Sequence, residues 1–247
     1  MPMGRRSATH PRPRSGPALA RAAALGAVLA WLATPQATAL TSRDNLLKAM
    51  RACVAASQQK SAKLPAPCEF VSGRGFVVMK EARQEHLFVP TAVVSGVEDP
   101  ALVAPEARPY WLYAWQQARH YFHGRSPWQV GLAINSKAGR SQDQMHIHVT
   151  CMKKAVSDAL HRAKISSAWS KVRLGGHTYA VRHVTRLTGS QNPFRLVYRK
   201  IGSRRFQMQY QTIVVTGART GFYVLSDYAH RGDRGHGEEL LDSRCAR

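Results

Sequence analysis

The chain has 247 residues, 44% of them hydrophobic, with 36 Lys and Arg against 14 Asp and Glu and a formal charge of +22. Length and apolar share together exclude disorder as a description of the whole and suit one large globular domain or two small ones. A mean hydropathy of −0.32, four cysteines and the lack of a long apolar run exclude a polytopic membrane protein and a small disulfide scaffold, while the basic excess points to nucleic acid, a phosphate-bearing small molecule or acidic lipid headgroups.

Residues 1–39 hold five arginines (Arg5, Arg6, Arg12, Arg14 and Arg21) and no acid, then the apolar run Ala22 to Ala33, then Pro35 and the small-residue triplet Ala37-Thr38-Ala39. A basic flank, a short apolar stretch and an Ala-x-Ala site predict an export leader, either cleaved or kept as a short membrane anchor. The folded part then runs over 40–247 with 31 basic and 14 acidic residues, a charge of +17. The excess positive charge therefore belongs to the domain itself.

Thr41-Ser42 followed by Leu46, Leu47, Met50, Cys53 and Val54 predicts a capped amphipathic helix, ended by the Ser/Lys/Pro stretch from Ser57 to Pro67. Gly75 to Lys80 and His86 to Val89 read as two strands across a charged turn, and Pro90 to Pro109 as an irregular loop. Pro109 opens an aromatic-rich helix through Phe122 whose Trp/Tyr stripe is core material. Trp128 to Asn135 and Met145 to Met152 read as strands around a basic turn, Lys154 to Lys164 as a helix, and His177 to Val184 as a strand. Tyr210 to Asp227 reads as a hairpin turning at 217–221, and the polar stretch Arg231 to Arg247 closes the chain. With no repeat and no clean linker, one α+β domain is predicted.

An even cysteine count in an exported chain predicts disulfides, with three pairings open. A Cys53–Cys68 bridge would close a short loop and stabilise by about 3 kcal/mol, leaving Cys151 and Cys245 to tie the middle of the domain to its C-terminus. No C-x-x-C spacing suggests a structural zinc site.

Chemistry concentrates between Leu132 and Cys151. From Met145 the sequence alternates strictly, so Met145, Ile147, Val149 and Cys151 are expected in the core, with Gln144, His146, His148 and Thr150 on a face turned away from it. Two imidazoles on one face beside a turn carrying Lys137, Gly139 and Arg140 make a compact phosphate site, in which one neutral His attacks phosphorus and its neighbour hydrogen-bonds a non-bridging oxygen. A His-x-His pair alone equally suits a polar sheet surface. It also suits two ligands of zinc or copper, although no third ligand is evident nearby and Lys137 and Arg140 would repel a cation. The run Arg195 to Arg205, with its interleaved aromatic, partly fits a nucleic-acid surface; an export leader argues against a genomic target.

The pattern Gln144-Met145-His146-Ile147-His148 after a strand ending in Asn135 resembles the histidine-triad (HIT) superfamily. The longer run Ala133 to Cys151, with Phe88 to Thr91, Trp111 to His120 and Gly176 to Thr185, resembles the bacterial CDP-diacylglycerol pyrophosphatase family over most of the domain. The resemblance implies a HIT-like antiparallel sheet with flanking helices, and hydrolysis of CDP-diacylglycerol to CMP and phosphatidate. It implies His146 as nucleophile through a cytidylyl-histidine, His148 binding or polarising the phosphate and Asn135 helping to hold it. Gln144 stands where the superfamily has its first His, which puts in question what orients His146. Lys137, Gly139, Arg140 and backbone amides would then neutralise the pyrophosphate. No cofactor is implied, and the partners expected are CDP-diacylglycerol and an anionic membrane surface at the periplasmic face of the inner membrane, not nucleic acid.

Overall fold

In the computed structural model the described residues are 42–59, 63–81 and 84–245. The predicted leader at 1–39 lies outside them, and the described residues belong to one compact unit. Among them no helix is long and apolar enough to cross a membrane.

The elements in chain order are α1 (Asn45–Ser57), β1 (Cys68–Ser72), β2 (Phe76–Lys80), β3 (His86–Pro90), α2 (Tyr110–Tyr121), β4 (Val130–Ile134), β5 (Ile147–Met152), α3 (Lys154–Arg162), β6 (Ser170–Leu174), β7 (His177–Val184), α4 (Pro193–Ile201), β8 (Gln211–Gly217), β9 (Phe222–Tyr228) and β10 (Leu241–Asp242). The strands form one sheet in the order β1-β2-β3-β5-β4-β8-β9-β7-β6, with β10 added to the end of β5. Every pairing is antiparallel. The predicted class, an α+β antiparallel sheet with flanking helices, is the one observed.

Period-two alternation sorts the strand residues between two faces. On one, Phe88, Leu132, Ile134, Ile147, Val149, Ile213 and Val215 pack under Trp111, Ala114 and Ala118 of α2 and Phe194 and Val197 of α4. On the other, Ala133, Val214, Val181 and Leu225 meet Val156 and Leu160 of α3 together with Leu240 and Leu241. There too Val77, Met79, Leu87 and Val89 meet Leu46, Leu47, Met50 and Cys53 of α1. Both faces of β5 are thus covered, and this overturns the expectation that Gln144, His146, His148 and Thr150 look away from the core: all four are buried. Alternation in the sequence separates two faces but does not say that one is wet.

The run Arg195 to Arg205 falls on α4 and the turn after it. Asn192 caps a helix start by accepting from the Phe194 N–H, Pro193 fills the first turn, and Phe194, Leu196, Val197 and Ile201 are buried. The arginines occupy the outer side of α4 and the turn after it. Disulfides join Cys53 to Cys68 and Cys151 to Cys245, with Cα separations of 5.7 and 5.2 Å.

Candidate active site

Strands β4 and β5 are neighbours, with Ala133 opposite His148. Asn135 and His146 sit at the same end of this central pair, Asn135 just after β4 and His146 just before β5. A cleft of about 550 Å³ opens there, lined by Asn135, His146, His148, Gly139, Arg140 and Glu238, by Lys80, Glu81 and Arg234, and on one wall by Leu46, Ala49, Met79 and Leu87.

The two imidazoles lie with ring centroids 5.1 Å apart at an interplanar angle of 67°. His146 Nδ1 is 2.8 Å from the backbone carbonyl of Gln144. A carbonyl can only accept, so Nδ1 carries the proton and Nε2 keeps its lone pair. Burial, then the neighbouring charges of His148 and Arg140, push the His146 pKa down to about 3, against the smaller opposing effect of the Gln144 carbonyl. It is a neutral imidazole at any ordinary pH.

His148 is tuned the other way. Burial alone would lower its pKa, but the hydrogen bond it donates to Glu85 and the charges of Glu238, Glu85 and Glu81 outweigh burial and raise it. Its Nδ1 lies 2.8 Å from Glu85 Oε1 and 3.2 Å from Glu238 Oε2. Glu238 also accepts from Asn135 Nδ2 at 3.1 Å. Among the described residues His148 Nε2 and Asn135 Oδ1 are buried with no partner. Leaving such groups unpaired costs about 1–3 kcal/mol each; His148 Nε2, when protonated, suits a phosphate oxygen as acceptor, whereas Asn135 Oδ1 can only accept and suits a hydroxyl or a water. Two titratable groups of one type driven apart in pKa are the usual mark of an acid and a nucleophile or base side by side.

Other predicted site residues stand elsewhere. The Gln144 side chain turns from the histidines: Nε2 donates to the carbonyls of Pro90 and Ala92 at 3.0 and 2.8 Å, and Oε1 accepts from the Val94 N–H at 3.4 Å. Gln144 therefore orients His146 through its backbone and pins the 90–94 loop with its side chain. Lys137 is exposed and absent from the cleft wall. Arg140 lines the cleft, but its guanidinium is committed to Glu98 at 2.7 and 2.8 Å, to the Ser95 carbonyl and to Asp143, with Nε left without a partner. Its charge is largely spent on the 95–98 loop. Gly139 answers a packing need, since a Cβ there would come within 2.7 Å of His236 and 2.9 Å of the Gly235 carbonyl. Replacing Arg140 with Met should unpair Glu98 and lower stability by about 2 kcal/mol, less than for a fully buried pair because Glu98 is partly exposed. Urea unfolding would measure it, and an unchanged midpoint would remove the anchoring role.

The cationic groups on the wall, Lys80 and Arg234, and the carboxylates Glu81, Glu85 and Glu238 were not singled out from sequence. Lys80 ends β2, and the others come from the charged turn after it and from a polar C-terminal stretch, segments with no periodicity to mark them. Glu85, His148 and Glu238 also place one ligand atom each within 4.8 Å of the others, a three-ligand set that includes His148 but not His146, and so differs from the His-x-His pair considered from the sequence.

The CDP-diacylglycerol pyrophosphatase family model matches residues 41–247. A CDP-diacylglycerol pyrophosphatase of Yersinia pestis is 35% identical over 196 residues, covering 73% of this chain and 76% of that protein. Among solved structures, yeast Ap4A phosphorylase Apa2 aligns with a TM-score of 0.41 at 11% identity, over 68% of this chain and 59% of that one. Its complex with Ap4A aligns at 0.39 and 10%, over 64% and 58%. The chain spans less than two thirds of the length of these two structures. With residues 41–247 matched by the family model and a curated relative at this identity, the chain belongs to the CDP-diacylglycerol pyrophosphatase family.

Proposed function

We propose that the chain hydrolyses the pyrophosphate of CDP-diacylglycerol to CMP and phosphatidate by way of a cytidylyl-histidine. One observation carries the reading: a neutral His146, its Nδ1 proton held by the Gln144 carbonyl, stands beside a His148 whose Nδ1 rests on the carboxylates of Glu85 and Glu238, which favour its charged form. His146 Nε2 attacks the CMP phosphorus, the P–N bond forms as the anhydride P–O bond breaks, and phosphatidate departs. His148 Nε2–H donates to a phosphoryl oxygen as charge builds up, with Arg234 and Lys80 adding positive charge. Water then attacks the same phosphorus, the P–N bond breaks and CMP leaves. Asn135 steadies both the phosphate and Glu238.

The test is CMP release from CDP-diacylglycerol by the purified protein in EDTA. Release that persists in EDTA supports a reaction carried by the histidines. Complete loss in EDTA, restored by zinc, would favour a second reading in which Glu85, His148 and Glu238 hold a divalent cation. The membrane that presents the substrate is read as the periplasmic face of an inner membrane, supported by the two disulfides and the leader sequence; the +17 of the folded part suits its anionic lipids.

The pH dependence follows from the two shifts. His146 is already neutral above its depressed pKa, so activity at ordinary pH is limited on the alkaline side, falling as His148 loses its proton above its raised pKa. Glu85→Gln removes the main raising influence and should move that alkaline limb of kcat/KM to lower pH. A limb that stays in place would separate His148 from the titration.

A further inference from the structure

We propose that an exposed rim beside the cleft, made by Lys137, Arg204, Arg205, Phe206, Tyr210 and Tyr228, docks the protein on the surface of an anionic bilayer, with Phe206 entering the interfacial layer. This rests on the reading of the substrate as a membrane lipid and adds the surface by which the cleft meets it.

Of the five large hydrophobics left exposed among the described residues, three lie here: Phe206 at 68%, Tyr228 at 39% and Tyr210 at 37%. Tyr210 and Tyr228 pair with ring centroids 5.9 Å apart. Exposed aromatics are what a domain is expected to hide, and a cluster of them beside arginines has the composition of a protein–lipid interface, where rings sit at headgroup level and basic groups meet lipid phosphates. Residues 202–206 are all exposed. Among the described residues Lys137, Arg204 and Arg205 have no carboxylate within ion-pair distance; Arg205 lies over the Tyr198 ring at 5.1 Å. Their charge is available to a partner.

Backbone hydrogen bonds fix this rim to the cleft. The Lys137 N–H donates to the Gln209 carbonyl at 2.7 Å, and the Ala229 N–H to the Tyr210 carbonyl at 2.7 Å. Arg234, a cleft-lining residue, donates from Nε to the Ala138 carbonyl at 2.9 Å. The turn at 136–140 is thus shared: one side borders the histidines and the other carries the aromatic and basic rim. A bilayer touching the rim would bring headgroups, and the pyrophosphate of a substrate lipid among them, to the level of the opening.

The full chain with R204Q, R205Q and F206S combined is compared with the parent on two substrates: CDP-diacylglycerol in vesicles rich in phosphatidylglycerol, and a short-chain, water-soluble analogue. Each arginine near an anionic surface favours binding by about fivefold, so turnover on vesicles should fall at least about tenfold while the soluble substrate is cleaved at the parent rate. Equal losses on both substrates would overturn the docking role. A second variant, F206W, reports the position of that side chain whatever else holds the chain to the membrane: its added fluorescence should be quenched by vesicles with brominated acyl chains. No quenching would overturn the proposal. So would a triple variant that loses binding to single-stranded DNA but keeps vesicle turnover, since the rim would then be a nucleic-acid surface. A parent that cleaves neither substrate while F206W is still quenched would count against the catalytic reading and leave the docking surface standing.

Discussion

His146→Ala should lower CMP release by about four orders of magnitude, because it removes the atom to which the cytidylyl group is transferred and leaves only binding and charge stabilisation. His146 is buried among well-packed groups, so His146→Gln serves as the volume-conserving companion and should be equally inactive with an unchanged thermal midpoint. Acid quenching during turnover of substrate labelled at the CMP phosphorus would destroy a phosphoramidate, whereas alkaline quenching preserves it. Label should therefore stay on the parent protein only under alkali, and never on either variant. Activity within about tenfold of the parent in His146→Ala would end the nucleophile assignment. Label retained on the variant would move the nucleophile to another group, His148 first.

The second large effect is on stability. The Cys151–Cys245 bridge spans 94 residues, and a loop of that size closed in the unfolded chain is worth about 4–5 kcal/mol on the chain-entropy account. The double variant Cys151→Ser, Cys245→Ser should unfold about 10 °C lower, or more. The shorter Cys53–Cys68 loop, with a separation of 15, should give about 3 kcal/mol. The long bridge also holds the C-terminal segment, whose β10 pairs with β5 and whose Glu238 reaches His148. Its loss should reduce activity at temperatures where the variant is still folded. Thermal unfolding by circular dichroism checks the first claim. A midpoint shift under about 3 °C would show that packing of β10 alone secures the C-terminus.

How much of this was legible differs from residue to residue. The alternation from Met145 to Cys151 marked a strand and paired His146 with His148, because side-chain direction along a strand is a local property with period two. The same alternation suggested an outward face, and this failed because α1, α3 and the C-terminal segment, all distant in sequence, cover it. Asn135 was reachable as the residue ending the preceding strand. Arg140 and Lys137 looked equivalent as cations of one turn, yet Glu98 captures the first and solvent takes the second. The two closest partners of Arg140, Glu98 and the Ser95 carbonyl, lie 42 and 45 residues away in the chain, so the turn's own sequence holds no trace of them. Helix α4 is marked only by the 3.6-residue spacing of Phe194, Val197 and Ile201, a short signal interrupted by the basic residues of its outer side.

The amino-acid sequence by itself determined the α+β class, the positions of α1, α2 and α3 and of seven strands, the histidine pair, and an anion-seeking charge, since each depends on composition or on neighbours a few residues away. Only the tertiary structure decided the opposite directions in which the pKa values of that pair are shifted. Glu85, Glu238 and the Gln144 carbonyl act on the two rings over distances of a few ångströms, and two of the three arrive from segments 63 and 90 residues removed from His148. Electrostatic influence falls with separation in space, not along the chain, so two histidines alike in sequence had their pKa values driven in opposite directions only when the sheet had closed around them.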